Sequence, residues 1–192
     1  MDGGCMKRLD VSGTPIHGLR RVTSLPLGDH RGYLARVFCA DELEETGWGA
    51  SVAQINLTHT RQAGTVRGLH FQHPPHAELK LVRCLRGEVW DVVVDLRHDS
   101  PTFLHWHAEK LSADNLAALL IPQGCAHGFQ ALVDGVDMLY LHSAAYAPSH
   151  EDGLRATDPL LGIPWPRPIT EMSPRDAGFA LLTPSFAGIR TP

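Results

Sequence analysis

The sequence predicts an all-β fold, an antiparallel sandwich or barrel, and three observations carry that prediction. Short runs rich in β-branched and aromatic residues recur along the chain, separated by Gly, Pro, Asp and Asn; this is the spacing of antiparallel strands, not of βαβ units. Helical periodicity is weak throughout. The last third is dense in proline turns, namely Asp158-Pro159, Ile163-Pro164-Trp165-Pro166 and Arg167-Pro168, and reads as an irregular arm laid over the sheets.

Taken in order, the first predicted strand, Tyr33 to Phe38, follows Gly32, and the second runs from Val52 to Leu57. Leu79 to Leu85 and Glu88 to Leu96 are parted by Arg86-Gly87, the second being the run richest in valine. Phe103 to Leu111 alternates, with Leu104, Trp106 and Ala108 on one side and His105, His107 and Glu109 on the other. Ala117 to Ile121 stops at Pro122, Phe129 to Val133 follows Gly128, and Asp137 to His142 follows Gly135. Two short helices are expected, Asp41 to Thr46 and the segment after Ser173. Alternating strands turn one face toward a lumen, so a small-molecule site belongs in the barrel mouth.

At 192 residues the chain can fill one core, and no stretch has the composition of a linker, so one domain over residues 1–192 is expected. A net charge of -4, a pI near 6.3 and scattered Lys and Arg argue against a nucleic-acid partner. The opening MDGGCMKRLD lacks the apolar run of a signal peptide, and nowhere are there the roughly 18 apolar residues of a membrane span. A cytoplasmic protein with no membrane partner is expected. Cys5, Cys39, Cys84 and Cys125 form no C-x-x-C pair, which suggests neither a zinc cage nor a disulfide framework.

Four polar clusters stand out. The densest is Arg67-Gly68-Leu69-His70-Phe71-Gln72-His73-Pro74-Pro75-His76 with Glu78 and Lys80. If it is one strand from Gly68 to Gln72, then Gly68, His70 and Gln72 share a face, and Gly68 leaves room for a ligand or backbone. The second is a Pro-Gly turn, Ile121-Pro122-Gln123-Gly124-Cys125-Ala126-His127-Gly128-Phe129, leading into a strand that presents His127. Tyr140 with Tyr146-Ala147-Pro148 forms the third, and Met172-Ser173-Pro174-Arg175-Asp176 the fourth.

Read together, several motifs resemble the dTDP-4-dehydrorhamnose 3,5-epimerase family. They are Asp29-His30-Arg31-Gly32-Tyr33, Gln54-Ile55-Asn56, Arg67 to Gln72, Lys80-Leu81-Val82-Arg83, Gly87 to Val92, Val94 to Arg97, Ser100 to Phe103, Ile121-Pro122 through Phe129, and Asp158-Pro159 with Trp165-Pro166. The likeness runs in register from about Asp29 to Asp176. It implies a cupin-like jelly-roll β-barrel with a few short helices and an irregular Pro-rich C-terminal arm. It also implies acid–base epimerisation without metal or cofactor, at C3 and C5 or one of them, of a nucleotide-diphosphate 4-keto-6-deoxyhexose. The ketone at C4 acidifies the neighbouring C–H bonds, so a base, an electrophile for the enolate oxygen and an acid on the opposite face suffice.

In that frame His70 matches the base, Asp176 the carboxylate that orients it, Tyr140 the proton donor and Lys80 the cation beside the oxyanion. Arg31 and Arg67 resemble arginines near the diphosphate. Gln54 and Asn56 resemble residues near the base, His127 a sugar-pocket residue, Tyr146 the aromatic that stacks on thymine, and Glu151 and Arg175 further ligand contacts. Family members form homodimers with exchanged strands, and the same is implied here. Two positions depart from the family pattern: Arg36 stands where an acidic residue is usual, and Leu141 where lysine usually follows the tyrosine. They leave open the exact nucleotide and sugar, and whether one carbon is inverted or two.

Plainer readings compete. His73 and His76 lie among prolines and read as loop residues. His105, His107 and Glu109 could approach a metal, or could be the solvated side of an outer strand. Asp91 and Asp95 are either buried, hydrogen-bonded carboxylates near the site or solvated strand-end residues, while Trp90, Trp106 and Trp165 read as core or interface. As whole-protein alternatives, a metal-dependent cupin such as a dioxygenase would use His70, His73 or His76, Glu78 and His127 as ligands, and a non-catalytic sugar-binding cupin would lack the base, carboxylate or donor.

Overall fold

The computed structural model describes residues 7–191; Cys5 lies outside them. Thirteen strands and two single-turn helices follow in the order β1 Leu9–Gly13, β2 Arg20–Ser24, β3 Leu27–Asp29, β4 Gly32–Leu34, α1 Ala40–Glu44, β5 Gln54–Thr60, β6 Val66–Gln72, β7 Lys80–Arg86, β8 Glu88–Asp95, β9 Trp106–Ser112, β10 Ala117–Ile121, β11 Cys125–Ala131, β12 Val136–His142, β13 Glu151–Gly153 and α2 Pro174–Gly178. They build a six-stranded sheet, β1-β2-β10-β7-β12-β5, facing a five-stranded one, β13-β6-β11-β8-β9, with β3 and β4 as a separate hairpin. The result is the expected all-β sandwich with an irregular arm.

Three apolar layers hold it. Between the sheets, Val82, Leu119, Ile121 and Met138 meet Val89, Val93, Leu111 and Phe129. The outer face of the five-stranded sheet, with Leu69, Phe71, Val92 and Val94, is covered by Leu154, Leu161, Ile163 and Ile189 from the proline-rich arm. The opposite outer face, with Leu81, Ala118, Leu120 and Leu141, is covered by Leu43 of α1 and Trp48. Both faces of the central strands are therefore dry, which is why β10 is buried at every position and reads as a continuous apolar run.

Several boundaries differ from expectation for identifiable reasons. The Tyr33 to Phe38 strand stops at Leu34. Phe103 to Leu111 begins only at Trp106, because Leu104 sits at φ 59 in a turn. β11 starts at Cys125, directly after Gly124, whose φ of 79 closes the Pro122 turn. β1 and β2 carry no strand signal in the sequence, being short and mostly polar, and they gain their place because β2 pairs with β10 and β1 with β2.

The Glu109 face of β9 is not an open solvated side. Arg21 of β2 donates to Glu109 across the two sheets at 3.0 Å, and His107 lies 3.3 Å from the same carboxylate. Trp90, Trp106 and Trp165 pack edge to face beneath the arm, with centroid distances of 6.0 Å and 5.4 Å.

At the polar end of the sandwich β6 crosses β11 with a register shift between His127 and Phe129. Gly68 and Gly128 meet there. A Cβ on Gly68 would stand 2.6 Å from Gly128 Cα, and one on Gly128 would stand 2.5 Å from Arg67 O. What approaches Gly68 is thus the backbone of the neighbouring strand.

Candidate active site

A cavity of about 790 Å³ opens between the sheets at this end. Period-two alternation supplies its walls: Gln54, Asn56, Thr58 and Thr60 of β5, His70 and Gln72 of β6, and Tyr140 and His142 of β12 all line it. Leu69, between the polar positions of β6, turns the other way into the layer under the arm, and Phe71 joins that layer while bordering the cavity.

His70 is oriented by the arm. Ser173 caps α2 by accepting from Asp176 N at 3.0 Å, with Pro174 at the first helical position. That single turn aims Asp176 back at β6, where Oδ1 lies 2.8 Å from His70 Nε2 and Oδ2 accepts from Gly68 N at 3.1 Å. Burial alone would raise the Asp176 pKa, but the His70 imidazole and the Gly68 N–H hold it below the ordinary carboxylate value. An ionised carboxylate only accepts, so the neutral His70 imidazole carries its proton on Nε2 and keeps a lone pair on Nδ1.

His127, the cross-strand partner of His70, has its Nε2 2.9 Å from both oxygens of Asp91. Both side chains are buried, at 5% and 0% exposure. Asp91 is therefore the buried carboxylate of the two readings; burial pushes its pKa up and His127 pulls it back. The Tyr140 ring stands 6.0 Å from that of His127. Enclosure pushes the Tyr140 pKa well up, with the Asp91 charge adding to it and Arg67 opposing, so the phenol keeps its proton at neutral pH.

Lys80 is nearly buried, with Nζ 2.9 Å from Glu78 Oε1 and 3.4 Å from the His70 carbonyl oxygen. Burial raises the Glu78 pKa, but the His142 hydrogen bond and the Lys80 charge bring it below the ordinary value. At the rim, Arg175 forks onto Glu151 at 2.7 and 3.0 Å and the Tyr146 hydroxyl donates to the same carboxylate at 2.7 Å. Arg67 is held by Thr60 Oγ1 at 3.0 Å and the His59 carbonyl at 3.1 Å.

His70, Tyr140, Asp176, Lys80, Gln54, Asn56, Arg67, His127, Tyr146, Glu151 and Arg175 thus share one cavity. Arg31 does not line it: it sits at the exposed tip of the β3–β4 hairpin, paired with Asp29 at 2.6 Å. Thr58 and His142 line the cavity but had not been singled out; alternation from Asn56 and from Tyr140 points to them.

The ligands a metal-dependent cupin would need are committed elsewhere. His127 binds Asp91, Glu78 binds Lys80 and His142, and His73 lies 3.3 Å from Asp152. No group of three or more His, Cys, Asp or Glu among the described residues could hold a metal.

An oriented imidazole, a protonated phenol and an ammonium around one enclosed space suit the removal and return of a proton at carbon, and the class so defined is a β-sandwich isomerase. Residues 13–183 match the family model for dTDP-4-dehydrorhamnose 3,5-epimerase. The chain belongs to that family.

It is 43% identical over 170 residues to the dTDP-4-dehydrorhamnose 3,5-epimerase of Sinorhizobium fredii, covering 88% of this chain and 87% of that one. It is 38% identical over 168 residues to the dTDP-4-dehydrorhamnose 3-epimerase of Streptomyces niveus, covering 87% and 81%. Its fold superposes with a TM-score of 0.88, at 35% identity and covering 96% and 99% of the two chains, on the Legionella pneumophila dTDP-6-deoxy-D-glucose-3,5-epimerase solved with dTDP-4-keto-L-rhamnose.

Proposed function

We propose that the chain, acting as one domain, converts dTDP-4-dehydro-6-deoxyglucose to dTDP-4-dehydrorhamnose, inverting C3 and C5 or one of them. The observation that carries this reading is the His70–Asp176 pair at 2.8 Å, opening on the cavity that holds Tyr140 and Lys80. His70 Nδ1 takes the proton from the carbon beside the ketone, and the electrons of that C–H bond move into the enolate. The Lys80 ammonium stabilises the oxygen at C4 as charge develops there. Tyr140 then gives its proton to the same carbon from the opposite face, and solvent resets imidazole and phenol for the next turnover.

Binding follows the length of the substrate. Arg67 serves the diphosphate, His127 the sugar, Gln54 and Asn56 the base and Tyr146 the thymine ring, with Glu151 and Arg175 as further ligand contacts. The chemistry needs no metal or cofactor, and the reading is of a cytoplasmic enzyme.

The working form in this reading is a homodimer with exchanged strands. β5 is an edge strand, with Ile55 and Leu57 60% and 64% exposed, and the β3–β4 hairpin carries Tyr33 and Leu34 at 63% and 73%. An open apolar edge invites a further strand from a second copy. Arg31, remote from its own cavity, would then reach the partner's. Sedimentation should return twice 21.0 kDa, and Leu57→Asp should return the single mass.

The decisive experiment incubates the enzyme with dTDP-4-keto-6-deoxyglucose in deuterated water. Solvent deuterium enters C3, C5 or both, the labelled carbon identifies the centre inverted, and His70→Ala abolishes the label. No incorporation by the wild-type protein would end the epimerase reading.

A further inference from the structure

His142 has no part in the proton transfers described above, yet it lines the cavity and touches two groups that shape it. Its tautomer follows from both of its neighbours. The backbone N–H of Tyr146 donates to Gln54 Oε1 at 3.0 Å. A backbone N–H can only donate, so Gln54 turns its Nε2 toward Asn56 Oδ1, 3.1 Å away. Asn56 then presents Nδ2 to His142 Nε2 at 3.5 Å, and Nε2 accepts. On the other side His142 Nδ1 lies 3.2 Å from Glu78 Oε2. A carboxylate accepts, so Nδ1 carries the proton, and the two sides demand the same tautomer.

Glu78 is consequently held at both oxygens. Oε2 receives His142 Nδ1–H and the Gln72 amide at 3.0 Å, while Oε1 faces the Lys80 ammonium at 2.9 Å. The carboxylate and the ammonium are almost fully enclosed, at 7% and 9% exposure. Among the described residues, Lys80 has besides this only the long 3.4 Å contact to the His70 carbonyl. Where the ammonium sits is thus decided by Glu78, and where Glu78 sits is decided by His142 together with Gln72.

We propose that His142 is a positioning residue: by donating to Glu78 it fixes the carboxylate that aims Lys80, and through Asn56 and Gln54 it ties that lysine to the Tyr146 backbone at the nucleotide end. One run of hydrogen bonds, directed from the Tyr146 N–H to Glu78, then meets the Lys80 ammonium donating to the same carboxylate, and joins the groups that grip the nucleotide to the cation that meets the enolate. Nucleotide contacts at Gln54 and Asn56 are felt at Lys80 without any contact between the two ends of the substrate. Such a run acts as a unit, so its members' effects are not independent.

The proposal rests on the epimerase reading, and its test separates the two. The readouts are kcat, KM and deuterium incorporation with dTDP-4-keto-6-deoxyglucose. His142→Ala lowers kcat about tenfold and leaves KM within about twofold, the signature of an interaction expressed in the transition state. His142→Asn sets an amide N–H where Nδ1–H stood and recovers at least about threefold over His142→Ala. In a Lys80→Met background His142→Ala causes no further loss, because the group it acts through has gone.

A wild-type kcat for His142→Ala, an asparagine variant no better than alanine, or an equal loss with and without Lys80 overturns the proposal. Should His142→Ala fail to fold, Glu78→Gln takes its place in the same cycle, lowering kcat alone and not with Lys80→Met; equal losses in both backgrounds overturn it. Wild-type protein that exchanges no deuterium defeats the epimerase reading and this proposal with it. Exchange by the wild type with an unchanged His142→Ala defeats this proposal alone.

Discussion

Asp176 spends its two oxygens on different donors, His70 Nε2–H and the Gly68 backbone N–H. The second donor decides what an amide would do in its place. In Asp176→Asn the Gly68 N–H can only donate and so claims Oδ1, leaving the amide NH₂ facing His70. The imidazole must then accept at Nε2 and carry its proton on Nδ1, where the base is needed. We expect kcat to fall about 10³-fold, within the range that a lost general base costs, with KM little changed. Rates of solvent deuterium entry for the two proteins check it.

At the scale of elements, the crossing of β6 and β11 has the least tolerance. Gly68 lies at φ 110, and a methyl group there meets Gly128 Cα at 2.6 Å. Gly68→Ala should cost more than about 3 kcal/mol, through backbone strain added to a steric clash, read as a lower midpoint in urea.

The same crossing marks where reading the sequence works and where it falters. β7, β8, β10 and β12 are legible to within a residue or two because Val, Leu and Ile dominate them between clear turns. β6 shows itself only as a polar cluster, since Arg67, His70 and Gln72 are there for the cavity and break the apolar pattern. The pairing of His70 with Asp176 spans 106 positions and was visible only through the family resemblance, because no local spacing encodes it. The pairing of Glu78 with His142, 64 apart, is likewise encoded by no local spacing: Glu78 stands in the polar cluster, but His142 carries no signal beyond alternation from Tyr140.

For the whole molecule, acid is the informative stress. Asp95 is fully buried; burial would raise its pKa, but Arg97, Ser100 and Thr102 hold it below the ordinary value, as their neighbours do for Asp176 and Glu78. Carboxylates whose folded pKa is lowered stabilise the fold fully above about pH 4, their unfolded value, and lose that contribution as pH falls through the lowered folded value. Asp91, pushed the other way by burial, opposes this trend in part. Asp95→Asn should therefore be less stable at pH 7 and show a shallower decline below pH 4, measured by urea denaturation across that range.

The arm that covers the five-stranded sheet also carries the turn that delivers Asp176. It works as an interlock. Strands can pair and the sandwich can close while the imidazole is still unoriented, so turnover is expected only once the segment that carries Asp176 seats. During refolding, sheet circular dichroism should return ahead of turnover, and one protease cut between Arg167 and Met172 should silence the enzyme while the sandwich stands.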